Sequence, residues 1–530
     1  DRAFLVTTGR TDVLLAVLDS GFDWRDRSYV NKIALNAGEL PLPELADGSV
    51  STTHDVDGNG FVNVQDYAAD ARVAIDAGND GADFHLDPSD LLVTFSDGVD
   101  DDGNGFSDDI AGWDFFGDDN DAWHQYDDDF GTHGSGVIEE MAAEGGDEEN
   151  GHIGVCPNCA VLPLRIGDTF VTDGNRVAMG IVYAVERGAV GVNMSVGALT
   201  NPDLAYAAAK WAREEGVSLV GAAGDENAYH HNFPSVMDGI LYVHSIRSNN
   251  ADEGSGAFSY LNFFNCNNYG PRLTLVAGSN ACATGAAAIT TGLVGLLHSA
   301  ARDAGLTLTA DEVYQLLIGS ADDIHLSADD VATAITYPSG EGWDPFYGYG
   351  RVNAGRAVAM VAEGAIPPTM DVSSPAWFDT IDPSVGGLAI EGYIAADRSG
   401  SFDYVVEYGV GDDPRAWTEL ASGTSTSRIE GTLATLDLAA LQVGPMAEAL
   451  DDETILERID RVFAPAVTVR IRATDAEGRV GQFQKTFYVY PDPDLVAGFP
   501  IELGASAESS PILADLDDDG IFEVVVGDSA

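Results

Sequence analysis

Short apolar segments alternate with helix-forming segments along the first two-thirds of the chain, and this alternation restricts the fold more than any other feature. Four apolar runs end in glycine or acidic residues, as is typical of buried parallel strands. They are DVLLAVLDSG (12–21), AVLPLRIGD (160–168), VGVNMSVG (190–197) and VSLVGAAGDE (217–226). Runs of this kind bury side chains on both faces of a sheet, so we expect helices to cover both faces.

Helical patterns fill the intervals between these runs. NRVAMGIVYAVERG (175–188) and NPDLAYAAAKWAREEG (201–216) read as helices, and Asn201 is the predicted N-cap of the second. ITTGLVGLLHSAARDAG (289–305) is apolar nearly all round, which predicts a central, buried helix. The alternation therefore predicts a doubly wound α/β domain with a mostly parallel sheet over residues 1–365.

The pattern changes after residue 365 to alternating apolar and polar positions separated by Gly- and Asp-rich turns. This period of two predicts an all-β sandwich of the immunoglobulin or fibronectin kind over residues 366–495. Residues 496–530 carry one strand–loop–strand unit, the start of a β-propeller-type repeat. One such unit cannot bury its own face, so we expect the natural protein to continue beyond Ala530 or the unit to dock elsewhere.

The charge of the chain excludes several classes of partner. Its formal net charge is −62, from 87 acidic and 25 basic residues. A surface with so few cations repels nucleic acid and anionic membranes. Because no apolar run is long enough to cross a bilayer, we expect no direct membrane insertion. Calcium binding and a solvated anionic surface both fit this acidity.

Three acidic loops have the spacing of calcium-binding sites. In DVDGNGFVNVQD (55–66), oxygen donors stand at positions 1, 3, 5, 9 and 12, with glycine at the sharp turn, as in an EF-hand. DDDGNGFSDD (100–109) and DLDDDGIFE (515–523) repeat the theme, and we interpret residues 39–110 as a calcium-binding insertion. The predicted Ca²⁺ ligands are Asp55, Asp57, Asn59, Phe61 (through its carbonyl), Asn63 and Asp66, then Asp100, Asp102, Asn104 and Asp108, and finally Asp515, Asp517, Asp519 and Glu523.

Three further motifs carry catalytic chemistry. They are AVLDSG with Asp19, GTHGSGVIEEMAAE (131–144) with His133, and the helix entrance VAGSNACATGAAAITTG (276–292). With NMSVG (193–197) and GAAGDEN (221–227), they occur in the order typical of the subtilisin-like serine peptidases, the subtilases. Residues 1–365 resemble that family.

The resemblance implies a role for each motif. Asp19 would orient the imidazole of His133, which would act as the general base. The residue in the place of Asp225 would donate a hydrogen bond to the oxyanion. An edge strand would pair with the backbone of a peptide substrate. That strand consists of Asn193, Met194, Ser195, Val196 and Gly197.

Two positions depart from the family pattern. The family has Gly-Thr-Ser-x-Ala at the helix, with a glycine eight residues after the serine, and counting back from Gly292 places Thr284 at the nucleophile position. A rival register puts Ser279 or Ala281 there, but it needs a gap in the helix. The family's usual oxyanion asparagine is replaced by Asp225, and an ionised carboxylate cannot donate a hydrogen bond.

Four cysteines allow three pairings, and the sequence alone does not choose among them. In the fold that the resemblance implies, Cys266 and Cys282 approach each other, so we predict the disulfides Cys156–Cys159 and Cys266–Cys282. The alternative is four buried thiols. Disulfides are typical of exported proteins.

These observations favour an exported, calcium-binding protein, extracellular or at the cell surface, with a degenerate catalytic site. Such a pseudoprotease would serve as a surface scaffold or a peptide-binding module, and its partner would be a protein or peptide. One alternative is an active serine/threonine endopeptidase of the subtilisin type. The other is a purely structural or adhesive component of a cell-surface assembly.

Overall fold

Helices and strands alternate along the first part of the chain, as the computed structural model shows. It describes residues 2–75, 85–124, 133–145, 152–198, 200–247, 262–263, 266–279, 281–326, 339–444, 463–491, 511–517 and 520–527. The helices in these ranges are α1 (Pro88–Phe95), α2 (His133–Ala142), α3 (Gly174–Glu186), α4 (Asp203–Glu214), α5 (Cys282–Asp303), α6 (Ala310–Ser320) and α7 (Ala354–Ala362). The strands among them are β1 (Leu14–Asp19), β2 (Trp113–Asp114), β3 (Ala160–Arg165), β4 (Val171–Thr172), β5 (Gly191–Met194), β6 (Gly197–Ala198), β7 (Ser218–Ala222), β8 (Ile240–Arg247), β9 (Asn262–Phe263) and β10 (Leu275–Gly278).

An eight-stranded sheet forms the centre of this first part. Its strand order is β10-β8-β7-β5-β1-β3-β2, with β9 added beside β8, and all pairings except β8–β9 are parallel. In β1, Leu15 and Val17 pack into the apolar cluster that holds α2 and α5, whereas Ala16 and Leu18 pack into the cluster that holds α3 and α4. Helices thus cover both faces, which confirms the predicted doubly wound α/β fold.

Helix α5 is the central helix that the sequence predicts, and it starts at Cys282, seven residues before the predicted range. The helix has 22 residues and a mean hydropathy of 1.2, which would suffice for a bilayer span, contrary to the expectation from the sequence. However, 83% of its apolar 18-residue stretch is buried inside the protein, where the helix packs against the sheet and α2. Helix α4 also differs at its start, because Pro202 has an extended backbone and occupies the N-cap position predicted for Asn201.

Two further sheets follow helix α7. Their strands are β11 (Thr369–Ser374), β12 (Thr380–Ile381), β13 (Gly387–Ala395), β14 (Phe402–Val410), β15 (Thr418–Ser425), β16 (Ile429–Asp437), β17 (Ala466–Asp475) and β18 (Val480–Val489). One sheet has the order β11-β13-β16 and the other β12-β18-β17-β14-β15. Apolar residues of both sheets share one buried cluster, so the sheets pack face to face.

The last described strands, β19 (Ile512–Ala514) and β20 (Glu523–Val525), form an antiparallel hairpin. Its large apolar residues are exposed, with Ile512 and Leu513 each at 64%. Within the described residues this hairpin pairs with no other strand, and a propeller-type repeat stays a prediction.

Ion pairs of one partly buried and one fully buried cation join the α/β part to the β-rich part. Arg213 of α4 donates to Asp311 of α6 at 2.6 Å and to Asp371 of β11 at 2.8 Å. Lys485 of β18 is fully buried and lies 3.2 Å from a carboxylate oxygen of Asp238. The chain has only 25 basic residues against 87 acidic ones, and two of these basic residues pair with carboxylates at this interface.

Candidate active site

Three predicted catalytic residues come together at the carboxyl end of β1. Asp19 ends that strand and is fully buried, and its Oδ1 lies 2.7 Å from Nδ1 of His133. Nε2 of His133 lies 3.2 Å from Oγ1 of Thr284. Helix α2 approaches the strand closely because residue 134 is glycine, whose Cβ would lie 2.5 Å from the carbonyl oxygen of Gly21. The arrangement forms a continuous carboxylate–imidazole–hydroxyl chain.

The structure also decides between the two registers at the helix entrance. Thr284 stands in the first turn of α5 and faces the imidazole. Ser279 is buried before the helix, where its Oγ accepts a hydrogen bond from the Ala281 N–H at 3.0 Å. Neither Ser279 nor Ala281 takes the place of Thr284, so the hydroxyl opposite His133 belongs to a β-branched side chain.

Asp225 lies just after β7, on the wall of the cleft opposite Asp19 and His133. Its Oδ1 accepts a hydrogen bond from the Ala283 N–H at 3.4 Å, one residue before Thr284. The carboxylate therefore faces the first turn of α5, where the family's asparagine would donate to an oxyanion. As an acceptor, it occupies a position that needs a donor.

Electrostatics couple the two walls of the cleft. The negative charge of Asp19 is the largest cause that raises the pKa of His133; burial opposes it, and the charge of Asp225 adds to it. Although Asp225 stays exposed to the cleft, burial of its carboxylate raises its pKa, and the neighbouring Glu226 raises it further. The pKa of both groups thus moves upward.

A cavity of about 350 Å³ opens beside these residues. Phe170, Glu226 and Asn232 line it and were not predicted, although Glu226 stands in the same motif as Asp225. Burial works to raise the pKa of Glu226, but hydrogen bonds from the amides of Asn232 and Asn268 outweigh it and hold this pKa below its usual value. The described lining therefore holds two carboxylates, and His133 is its one titratable cation.

The predicted substrate-binding strand divides into two parts. Ser195, Val196 and Gly197 line the cavity. Asn193 and Met194 do not, because β5 is paired with β1 on one side and with β7 on the other, which leaves no free edge for a peptide. The prediction that all five residues form an edge strand is therefore wrong for these two.

Both predicted disulfides are present, Cys156–Cys159 and Cys266–Cys282. Cys156 and Cys159 are fully buried in the core. Cys282 lines the cavity at the start of α5, so the second bridge borders the cleft.

The first acidic loop brings Asp55, Asp57 and Asp66 together, with one carboxylate oxygen of each within 4.8 Å of the others. Two oxygens that bind one Ca²⁺ from opposite sides are about 5 Å apart, so the three fit a shared ion. Asn63 caps the 3-10 helix Val64–Tyr67, and its Oδ1 accepts the Gln65 N–H. Its predicted role as a ligand stays a prediction.

Asn59 and Phe61 are also predicted ligands of the first loop, and neither belongs to the cluster of three carboxylates. The Oδ1 of Asn59 accepts the N–H of Phe61 at 3.1 Å, so this side chain closes the turn. The role of the Phe61 carbonyl stays a prediction.

The second acidic loop recruits a residue that the sequence analysis missed. Asp100 and Asp102 cluster with Glu39, which is buried and accepts N–H groups from Asp101, Asp102 and Asp108. Glu39 lies about 60 residues earlier in the chain, so no local spacing could reveal it.

Two predicted ligands of the second loop have other partners. Both carboxylate oxygens of Asp108 accept backbone N–H groups, from Asp97 and Gly98 at 2.8 Å each, and Asp108 is absent from the cluster. Its role as a ligand stays a prediction. The Oδ1 of Asn104 accepts the N–H of Phe106 at 2.8 Å, as Asn59 does in the first loop.

The third loop brings Asp515, Asp517 and Glu523 together at the hairpin of β19 and β20. Asp519 lies outside the described residues. All three clusters have the carboxylate chemistry and spacing that suit Ca²⁺, and bound calcium would neutralise like charges that otherwise repel one another.

The chain is similar in sequence to known proteases. The halolysin-like extracellular serine protease Nep of Natrialba magadii is 28% identical over 263 residues, which cover 47% of this chain and 42% of that protein. Thermitase of Thermoactinomyces vulgaris is 30% identical over 141 residues, or 26% of this chain and 48% of that protein. The chain thus spans less than half the length of these two relatives.

Among solved structures, the prenylagaramide maturation protease PagA aligns with a TM-score of 0.41 and 15% identity, covering 68% of this chain and 98% of that one. The model of the subtilase family matches residues 10–350, which include the Asp19, His133 and Thr284 positions. This match covers more than half of the sequence, and the chain therefore belongs to the subtilase family.

Proposed function

We propose that this subtilase is an exported, calcium-stabilised protein that binds peptide segments in its cleft and is a pseudoprotease rather than an efficient hydrolase. The observation that carries the proposal is the Asp225 carboxylate, which accepts a hydrogen bond from Ala283 beside the Thr284 hydroxyl. An acceptor stands there in place of the donor that acyl transfer requires.

The nucleophile side supports the same conclusion. The extra methyl of Thr284 restricts χ1 and occupies space between the imidazole and an incoming carbonyl. A misplacement of about 1 Å can cost about 10²-fold in rate. Loss of one oxyanion donor costs about 10²–10³-fold in kcat, a magnitude measured in subtilisin, a member of this family.

The protonation states of the two walls conflict as well. His133 can accept a proton only above its raised pKa, whereas Asp225 can donate a hydrogen bond only below its own. Their ordinary values are 6.5 and 3.8, and both move upward. A working site would need a protonated Asp225 and a neutral His133 at the same pH.

The same cleft suits peptide binding. Ser195, Val196 and Gly197 border a cavity of about 350 Å³, which is within the range of ligand pockets. Its two carboxylates, Asp225 and Glu226, favour a peptide with a cationic side chain. This open cavity supports a binding function over a purely structural or adhesive role, in which the cleft would hold nothing.

Residual endopeptidase activity is the second candidate. It is favoured by the Asp19–His133–Thr284 chain, with atom separations of 2.7 and 3.2 Å. A threonine hydroxyl is a competent nucleophile in other enzymes.

Export and calcium complete the proposal. Two disulfides and the similarity to an extracellular protease support an extracellular or cell-surface location. Glu39, Asp55, Asp57, Asp66, Asp100, Asp102, Asp515, Asp517 and Glu523 would hold Ca²⁺. The ions would stabilise the loops and supply no chemistry at the cleft. Service as a scaffold in a cell-surface assembly is an extension of this role.

The decisive experiment combines hydrolysis and binding. Wild type and the T284S/D225N variant are incubated with a fluorogenic peptide library, and peptide binding is measured by fluorescence polarisation. We expect wild type to bind cationic peptides and to hydrolyse them about 10⁴-fold more slowly than the variant, because the two defects multiply when they act independently. Wild-type hydrolysis at a measurable rate equal to that of the variant would refute the pseudoprotease, and an inactive variant would refute Thr284 and Asp225 as the cause of the loss. Absence of peptide binding by both would refute the binding function.

A further inference from the structure

Two separate segments form the wall of the cleft that holds Asp225 and Thr284, and a third segment joins them. One is the loop 224–228, the oxyanion loop, which carries Asp225 and Glu226. The other is the first turn of α5, with Cys282 and Thr284. Residues 266–269 contact both of these segments.

Asn268 holds the oxyanion loop at three points. Its backbone N–H donates to the Gly224 carbonyl at 3.0 Å, its side-chain amide donates to Glu226, and its Oδ1 accepts the Ala228 N–H at 3.1 Å. Asn268 is fully buried, so its own amide is shielded from water. Gly224 has φ of +95°, and a Cβ there would overlap the amide of Asn232, so this turn favours glycine.

The segment 266–269 is also bound covalently to the first turn of α5. Cys266, two residues before Asn268, forms a disulfide with Cys282, two residues before Thr284. Between them, Asn267 is fully buried and exchanges hydrogen bonds with the backbone of Ser245 in β8, at 3.0 and 3.1 Å. A short anchored path therefore runs from the oxyanion loop through Asn268 and the disulfide to the helix of Thr284.

We propose that Asn268 and the Cys266–Cys282 disulfide form a positioning clamp that fixes the oxyanion loop relative to the start of α5. The clamp sets the separation between Asp225 and Thr284 and hence the geometry of the cleft. The clamp rests on the proposed function in one respect, namely that the cleft binds a peptide. Asn268 acts through the loop and touches no reacting atom, so it is a positioning residue.

Hydrogen exchange of the free protein tests the clamp without any ligand. The variants are N268A and C266A/C282A, and the matched control is C156A/C159A, which removes the other disulfide from the core. We expect exchange of the amides of residues 225–228 to accelerate about tenfold in both clamp variants and to stay unchanged in the control. Unchanged exchange in N268A, or equal acceleration in the control, would overturn the proposal.

A donor–acceptor reversal separates positioning from general stability. N268D alone places two carboxylates against each other, whereas N268D/E226Q restores a hydrogen bond with its direction reversed. We expect N268D to accelerate exchange in the loop and the double variant to restore slow exchange. Failure of the double variant to restore it would count against the clamp.

Kinetics in the T284S/D225N background provide the functional readout. N268A should lower kcat per titrated active site by about 10²-fold with KM nearly unchanged, since a loosened loop misplaces the oxyanion donor. A structural defect alone would lower only the titrated fraction of active sites. If the background itself is inactive, the proposed function fails, while the exchange experiment still decides the clamp.

Discussion

The two walls of the cleft differ in how much of a peptidase they retain. On one wall, Asp19 and His133 keep the separation and burial that a general base needs. On the other, Thr284 adds a methyl to the nucleophile and Asp225 turns a donor position into an acceptor. In the proposed pseudoprotease, the groups that move a proton are thus retained beside groups that would not stabilise the resulting oxyanion.

The largest effect should come from breaking the retained wall. In the T284S/D225N background, Asp19→Asn should lower kcat by about 10⁴-fold, because the imidazole then adopts the wrong tautomer. Active-site-titrated steady-state kinetics measure this effect. A loss below about tenfold would mean that the two walls do not differ as described.

A smaller effect should come from repairing one position of the altered wall. Asp225→Asn alone should raise hydrolysis by about 10²–10³-fold, since a donor replaces an acceptor. Thr284→Ser alone serves as the paired variant and should gain about 10²-fold. The comparison weakens if Asp225→Asn leaves the rate unchanged while Thr284→Ser restores it fully.

Removal of calcium separates loss of structure from loss of chemistry. At a free Ca²⁺ concentration of 100 Kd, one ion should stabilise the folded state by about 2.7 kcal/mol. We expect chelation, or the pair Asp55→Asn and Asp57→Asn, to lower the melting temperature measured by calorimetry. The separation of His133 from Thr284 should not change, so the T284S/D225N variant should keep its kcat below its new melting temperature. A parallel fall in kcat would link the loops to the cleft.

The smallest effect concerns the coupling between the walls. Asp225→Asn removes one of the two negative charges that raise the pKa of His133, so this pKa should fall. The general base then becomes available at lower pH, and the acid limb of the pH–rate profile shifts downward. NMR titration of the His133 ring measures the change, with Glu226→Gln as a control at the neighbouring carboxylate. An unchanged pKa would show that the walls are electrostatically independent.

Sequence patterns revealed the features that depend on local order. The motifs around Asp19, His133 and Thr284 occur in the family's order, so the α/β fold and the approach of these three side chains could be predicted. Glu39 could not, since its approach to Asp100 and Asp102 is made by the tertiary fold. Spacing also could not show that the oxygens of Asp108 accept the backbone N–H groups of a turn.

Strand boundaries account for the other differences. The sequence NMSVG predicts one edge strand, but its first two residues belong to β5, which is paired with a strand on each side. A strand buried on both faces has the same apolar pattern at the centre of a sheet as at its margin. Only the pairing places Asn193 and Met194 in the interior and leaves Ser195, Val196 and Gly197 at the cleft.

The ion pairs between the α/β part and the β-rich part bear on how this molecule comes apart. Arg213 is shared by Asp311 and Asp371, and Lys485 lies buried against Asp238. Separating the parts would leave Asp371 and Asp238 without these cations on an already anionic protein. The two parts should therefore melt in one cooperative transition, and proteolytic trimming at their junction should destabilise the half that bears the cleft.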